Sequence, residues 1–598
     1  MKLTSIFARI IFPANKIYLL KIIPIKIKSF WIIILALQLL SQTNLAAEKP
    51  IYNTQDVFHP VIAKNGIVAT QEALATKAGL SVLKAGGNAI DAAVTIGFTL
   101  AVTLPRAGNI GGGGFMLIHL ADTQETVAID YREKAPLAAT RDMFLDENGK
   151  ADPQKSRFSH LAVGVPGTVA GLALVLEKYG TISLAEALQP AIELAEKGIT
   201  VTEDLRSSLI FAQPYLATNE ASQEIFFPAE GEVYQVGDLL IQADLAKSLK
   251  LIASEGVEAF YQGEIADKIV EEMSANGGII TKADLASYQP VIRQPVRGNY
   301  RGYDIYSMPP PSSGGVHLIQ MLNILEGFPI KLFGHNQAKT IHIMTETMKL
   351  AYADRFQYLG DPDFVDVPIT ELISKSYADR LRSRIDLQKA TPSSEILPAA
   401  INEKIESIDT THFSVIDRYG NAVANTYTLN FSYGSGITVP GTGILLNNEM
   451  DDFTAKPGVQ NAYGLVGGEL NAIEPEKRML SSMTPTIVIE NGQPFLVTGS
   501  PGGSQIITAT LQLIMNVIDH EMNIAAATNS FRFHHQWLPD VLQVEKGLNG
   551  DTIALLQEFG HTVEVTNAMG STQSVMYREK RLFGASDPRR PNALTLGY

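Results

Sequence analysis

The sequence contains no cysteine. That removes thiolate nucleophiles, disulfides, iron–sulfur clusters and thiolate zinc sites in one step. Basic residues are outnumbered, 48 against 62 acidic, for a formal net charge of −14. Nucleic acid is therefore not an expected partner, because phosphate binding needs a basic face. There is no Walker loop, no His-Glu-x-x-His and no Gly-x-Ser-x-Gly, so the usual marks of nucleotide, zincin and nucleophile-elbow chemistry are missing. The eleven histidines lack zinc-ligand spacing. His534 and His535 are adjacent, but with Phe531, Phe533 and Trp537 around them they read as packed structural residues. No metal and no organic cofactor is expected.

Long apolar runs are scarce as well. Residues 30–40 (FWIIILALQLL) fall short of the roughly 20 residues a membrane span needs. Lys2, Arg9, Lys16, Lys21, Lys26 and Lys28 precede them without an acidic residue, and Ala46-Ala47 follow. The pattern reads as an export signal over residues 1–47, with an uncleaved anchor as the competing reading. A periplasmic or secreted protein follows, touching the membrane only through that signal. The remainder, in a chain with 45% hydrophobic and 18% charged residues, can bury a sizeable core.

What is present falls into two halves. Thr70 reads as the cap of a helix that Gly86-Gly87 stop, and Asn88 as the cap of an apolar, buried helix. Four glycines at 111–114 lead into strand-like FMLIHL and VAIDYR, and serve close backbone packing better than phosphate binding. From about 160 to 385 the pattern is mainly helical, and residues 387–409 lose periodicity like a linker. Then the period switches to two. THFSVI and AVANTYTL read as strands around DRYGN, and a second hairpin turns at Asn491-Gly492. A helix near 506–519, another near 551–559 and short final strands complete a layered α+β pattern.

The sharp feature is the junction Asp409-Thr410-Thr411, where the linker ends and a strand begins. Cleavage before Thr410 would put a hydroxyl nucleophile and a free α-amine on one residue. An α-amine has a pKa of roughly 7.7–8.0 and can serve as the base. On composition alone a Thr-Thr pair is more simply explained by β-propensity.

The surrounding residues decide between these readings. TTHFSVID, TYTLN, GILLNNEMDDF, LSSMTPT, TGSPGGSQIITA and GSTQS, with PRAGNIGGGGFM and IDYREKAP earlier, closely resemble the γ-glutamyltranspeptidase (glutathione hydrolase) family in order and spacing. That resemblance implies an αββα sandwich of the N-terminal-nucleophile type, self-cleaved between Asp409 and Thr410 into a large chain of 48–409 and a small chain of 410–598. It implies Thr410 as nucleophile, Thr428 as its hydrogen-bond partner, and Gly502 and Gly503 as the oxyanion-hole pair. Arg132 with Ser481 and Ser482 would clamp the α-carboxylate of a γ-glutamyl group, and Asn430, Glu449 and Asp452 would receive its α-ammonium. Tyr463, in a loop of 455–468, would close over the substrate.

The implied activity is transfer of a γ-glutamyl group from glutathione or related compounds to water, or to an amino acid or dipeptide. Two alternatives stay open: a cephalosporin (glutaryl) acylase of the same fold, and an unprocessed, inactive binding protein. Two buried carboxylates beside a chain without an ammonium would be left unpaired, which counts against the acylase.

Overall fold

The computed structural model describes residues 50–397 and 410–598. Residues 1–47, read as an export signal, and Asp409 lie outside them. Among the described residues no helix is long and apolar enough to cross a membrane. Thr54–Tyr598 form one unit.

Two seven-stranded antiparallel sheets form its centre. One runs Leu594–Gly597, Ile67–Thr70, Thr411–Ile416, Ala422–Thr428, Gly113–Leu120, Glu125–Tyr131, Val291–Arg293. The other runs Val61–Ala63, Arg581–Ser586, Gln573–Arg578, Gln493–Thr498, Thr486–Glu490, Tyr303–Ser307, Val296–Tyr300. Period-two alternation sorts their side chains. Phe115, Leu117, Ala424, Ile487, Val497 and Val575 meet between the sheets, whereas Met116, Ile118, Phe413, Val415 and Tyr427 face outward into a helical layer. That layer includes Ala89–Thr103, whose every residue is buried, and Thr168–Tyr179. Gly314–Leu325 and Ile524–Asn529 pack against the other sheet. The result is an αββα sandwich.

Local sequence explains most of these elements. Asn88 accepts from the amides of Ile90 and Asp91 while Asp91 answers the Asn88 amide, a full capping box. Gly86 ends the preceding helix at φ 107°, a left-handed conformation that glycine enters without cost. Asn491 and Gly492 both take positive φ, 51° and 77°, as a two-residue hairpin turn requires. The glycine run packs backbone on backbone: a Cβ on Gly112 would lie 2.1 Å from the Thr428 carbonyl oxygen, and one on Gly111 2.1 Å from that of Leu445.

Two expectations need correction. Thr70 does not cap the first helix; it ends the strand Ile67–Thr70, paired with Phe413. The cap is Glu72, whose carboxylate accepts from the Ala75 amide at 2.9 Å. A β-branched residue one pair from a strand partner is held in the ladder, and the acid beyond it reaches the helix N-terminus instead. The mainly helical stretch also contains three strands between Val291 and Ser307. They are short, with Gly298 inside one and Pro295 and Gly302 between them, so tertiary pairing overrides a weak local signal.

Candidate active site

Register places the nucleophile candidate. Thr411 pairs with Tyr427, which brings Thr410, just ahead of its strand, opposite Thr428. The Thr410 hydroxyl donates to Thr428 Oγ1 at 3.4 Å, and the Asn430 amide donates to that same oxygen at 2.9 Å. Both threonines are buried, and both line a small cavity. His412 points away from it, to Thr426 Oγ1 at 2.8 Å and Ser414 Oγ at 3.0 Å between the sheets. Burial draws its pKa down to about 3. The neutral imidazole is thus a structural element, and among the described residues no histidine lines the cavity.

Gly502 and Gly503 follow the strand Gln493–Thr498 and precede the helix Gln505–Ile518. Their φ values, +131° and +54°, are those that favour glycine. Among the described residues neither amide N–H has a protein acceptor, and Gly503 lines the cavity. Consecutive free amide donors, one of them on the wall of the cavity that Thr410 lines, are the kind of group a developing oxyanion needs.

Charges line the same cavity. Arg132 is buried, at the end of Glu125–Tyr131. Its guanidinium binds Glu449 directly, Asp452 at 2.6 Å and the Met479 carbonyl at 3.3 Å. The sequence reading put Arg132 and the two acids at separate groups of a ligand; here they contact one another. Burial pushes the Glu449 and Asp452 carboxyls up, and the guanidinium pulls them back. Burial opposes the charge on Arg132, but Glu449 and Asp452 hold it on firmly. Asp451 turns away to Arg157 at 3.4 Å and to Ser156.

Ser481 and Ser482 also line the cavity. The segment is held by Ser313, whose amide and hydroxyl both donate to the Ser481 carbonyl at 2.8 Å. Asn430 sits at φ 76°, tolerable for Asn, and its side-chain amide donates to the Asn448 carbonyl at 2.9 Å. The Tyr463 hydroxyl donates to the Asn430 carbonyl at 2.9 Å and to its Oδ1. Tyr463 is buried and its ring lies against Gly503, so the 455–468 loop covers the site. All the residues singled out from the sequence converge here except Asp409, outside the described residues, and Gly502, which is not on the cavity wall but adjoins Gly503.

Arg355 was missed. It lies in the last turn of Ala338–Tyr358, buried, and lines the same cavity. The available signal was a cation in a helix with an apolar, buried neighbourhood; nothing local marked it. Arg106, another arginine near the glycine run, pairs with Asp204 at 2.8 Å away from the cavity wall.

The metal-ligand types that do come together lie elsewhere. His342, Glu346 and His561 have ligand atoms within 4.8 Å of one another. The Lys349 ammonium already stands 2.9 Å from Glu346, and His561 and His342 hydrogen-bond each other at 2.8 Å. Lys349 also donates to the Thr391 carbonyl, and His342 to that of Asp386, so the cluster pins the start of the linker. His534 and His535 bind Thr508, Gln536 and Asp540, the packed pair expected.

Comparison with known proteins decides the family. A γ-glutamyltranspeptidase family profile matches residues 75–596. The chain belongs to the γ-glutamyltranspeptidase family. It is 56% identical over 546 residues to a glutathione hydrolase proenzyme of Escherichia coli (strain K12), covering 91% of this chain and 94% of that one. An Acylase ACY 1 proenzyme of Pseudomonas sp. (strain V22) is 40% identical over 511 residues, covering 84% and 88%. Among solved structures, a cephalosporin acylase from Bacillus halodurans superposes with TM-score 0.78 at 28% identity, covering 93% of this chain and 99% of its own. Helicobacter pylori γ-glutamyltranspeptidase gives TM-score 0.54 at 50% identity, covering 58% and 97%.

Proposed function

We propose that this γ-glutamyltranspeptidase-family chain is a self-processing γ-glutamyl hydrolase and transferase acting on glutathione and related γ-glutamyl amides. One observation carries the reading. The Thr410 hydroxyl and the unpartnered Gly503 amide, with Gly502 adjoining, share one small cavity with buried charges of both signs. A γ-glutamyl group matches that set: an acyl carbon at one end, an ammonium and a carboxylate at the other.

Processing comes first. The Thr410 hydroxyl attacks the Asp409 carbonyl carbon, the C–N bond breaks, and the α-amine of Thr410 takes the hydroxyl proton. Water then cleaves the ester, leaving Asp409 as a carboxylate at the end of a chain of about 48–409 and Thr410 opening a chain of 410–598. In turnover the neutral α-amine takes the proton of the Thr410 hydroxyl as its oxygen attacks the γ-carbonyl carbon. The Gly502 and Gly503 amides receive the oxyanion. The leaving amine, cysteinylglycine from glutathione, takes the proton back, and a γ-glutamyl ester remains on Thr410. Water or the amine of an amino acid or dipeptide then takes the acyl group. Thr428 orients the hydroxyl, and Tyr463 latches the covering loop. Arg132, Ser481 and Ser482 serve the α-carboxylate; Asn430, Glu449 and Asp452 serve the α-ammonium. The basic, apolar N-terminal pattern supports export, with 1–47 as the signal and the periplasm or exterior as the destination.

A glutaryl acylase is the second reading, favoured by acylases among the relatives. Glu449 and Asp452 oppose it by number, since two carboxylates share the one Arg132 guanidinium and an ammonium would balance the second. Incubation of the purified protein with glutathione, with and without a dipeptide, tests both. Glutamate and cysteinylglycine, plus a γ-glutamyl dipeptide when the acceptor is present, are the expected products. Cleavage of a glutaryl anilide in preference to the γ-glutamyl one would overturn the assignment.

A further inference from the structure

Six arginines are buried among the described residues: Arg106, Arg132, Arg157, Arg355, Arg478 and Arg532. Five have a carboxylate within ion-pair distance: Arg106 with Asp204, Arg132 with Glu449 and Asp452, Arg157 with Asp451, Arg478 with Asp130, and Arg532 with Asp587. Arg355 has none. It is 6% exposed, and its one hydrogen bond runs from Nε to Ser313 Oγ at 3.0 Å. Burial pulls its pKa down to about 10, with Asp452 opposing from beyond contact, as suits a guanidinium without a counter-ion. A buried charge without a partner is costly, and the site invites an anion to supply one.

Position says which anion. Arg355 forms part of the wall between the active-site cavity and a second chamber of about 490 Å³ under the 455–468 loop. Through Ser313 it is tied to Ser481, a member of the carboxylate clamp. Arg132, the cation expected to meet that carboxylate, is already neutralised by two acids. Among the described residues, the remaining uncompensated positive charge on the cavity wall is Arg355.

We propose that Arg355 binds the α-carboxylate of the γ-glutamyl group directly, as a specificity-determining cation beside Arg132. Its planar fork suits a carboxylate better than an ammonium would. The inference rests on the γ-glutamyl reading above.

The test compares two anilides on the processed enzyme: γ-glutamyl-p-nitroanilide, and 4-aminobutyryl-p-nitroanilide, which keeps the amine but lacks the carboxylate. Arg355→Gln is expected to raise KM for the first at least tenfold with kcat within about threefold, and to leave kcat/KM for the second unchanged. Arg355→Lys, which keeps the charge and carries the test alone if the Gln variant does not fold, should raise KM for the first by about three- to tenfold and likewise spare the second. Equal losses on both substrates would make Arg355 a prop for Ser313 and Ser481 and overturn the proposal. An unchanged preference would overturn it too, and would place any anion in the second chamber. If the unaltered enzyme fails to cleave the γ-glutamyl anilide at all, the functional reading falls instead, which the same plate shows.

Discussion

Asp452→Asn isolates the ammonium end of the site. The substitution preserves shape, and Arg132 keeps Glu449 as its buried counter-ion, so the fold should survive. What is lost is one negative charge facing the substrate amine. Hydrogen bonds to charged groups contribute about 1.5–3 kcal/mol and neutral ones about 0.5–1.5. The γ-glutamyl anilide should therefore lose about 1–2 kcal/mol of transition-state stabilisation, or about 5- to 30-fold in kcat/KM. A glutaryl anilide has the same carboxylate and no amine. In the unaltered enzyme it sets the Asp452 carboxylate, ion-paired with Arg132, opposite a methylene; in the variant it meets a neutral amide. Its kcat/KM should hold or rise, so the γ-glutamyl to glutaryl ratio shifts by about tenfold or more. Parallel steady-state assays of both anilides, on protein whose processing has been verified by mass, read this directly. A parallel decline of both substrates would mean that Asp452 only supports Arg132, and the assignment of the ammonium subsite would be wrong.

Other consequences follow from particular contacts. Gly503→Ala forces a side chain into φ +54°, costing roughly 1–2 kcal/mol, and sets its Cβ 2.4 Å from the Tyr463 ring; kcat/KM should fall at least about tenfold, with faster proteolysis in 455–468. Tyr463→Phe removes the hydroxyl that reaches Asn430, about 1 kcal/mol of latch, and should raise hydrolysis relative to transfer in a product assay with a dipeptide acceptor. Burial pushes the Glu133 carboxyl up to about 7, with Arg132 opposing, and neither oxygen has a hydrogen-bond partner. Because the folded pKa lies above the unfolded value of about 4.3, the folded state holds the extra proton, and stability should fall as pH rises from about 4.5 to 7. In Glu133→Gln that part of the slope, up to about 3 kcal/mol, should vanish from urea midpoints measured across the window.

Much of this was legible because the sequence states it locally. Asn88 with Asp91, Gly86, and Asn491-Gly492 act within four residues of one another, and the strands around Thr410 keep a clean period of two. The catalytic cluster was readable through motif order, which fixes residues far apart without any knowledge of distance. Contacts without a local mark were not readable. Arg355 meets Ser313 across 42 positions and His342 meets His561 across 219. Arg132 touching Glu449 and Asp452 is likewise a fact of folding, 317 and 320 positions apart. Thr70 was misread because a β-branched hydroxyl residue suits a cap and a strand end equally well, and only the pairing with Phe413 decides.

The central claim is that Thr410 becomes a chain terminus and works as one. Intact mass under denaturing conditions, on the purified protein and on Thr410→Ala, tests it most directly. The account predicts two chains for the unaltered protein, the smaller beginning at Thr410, and one uncleaved chain for the variant. A single chain from folded, active, unaltered protein, or a smaller chain beginning at another residue, would contradict it.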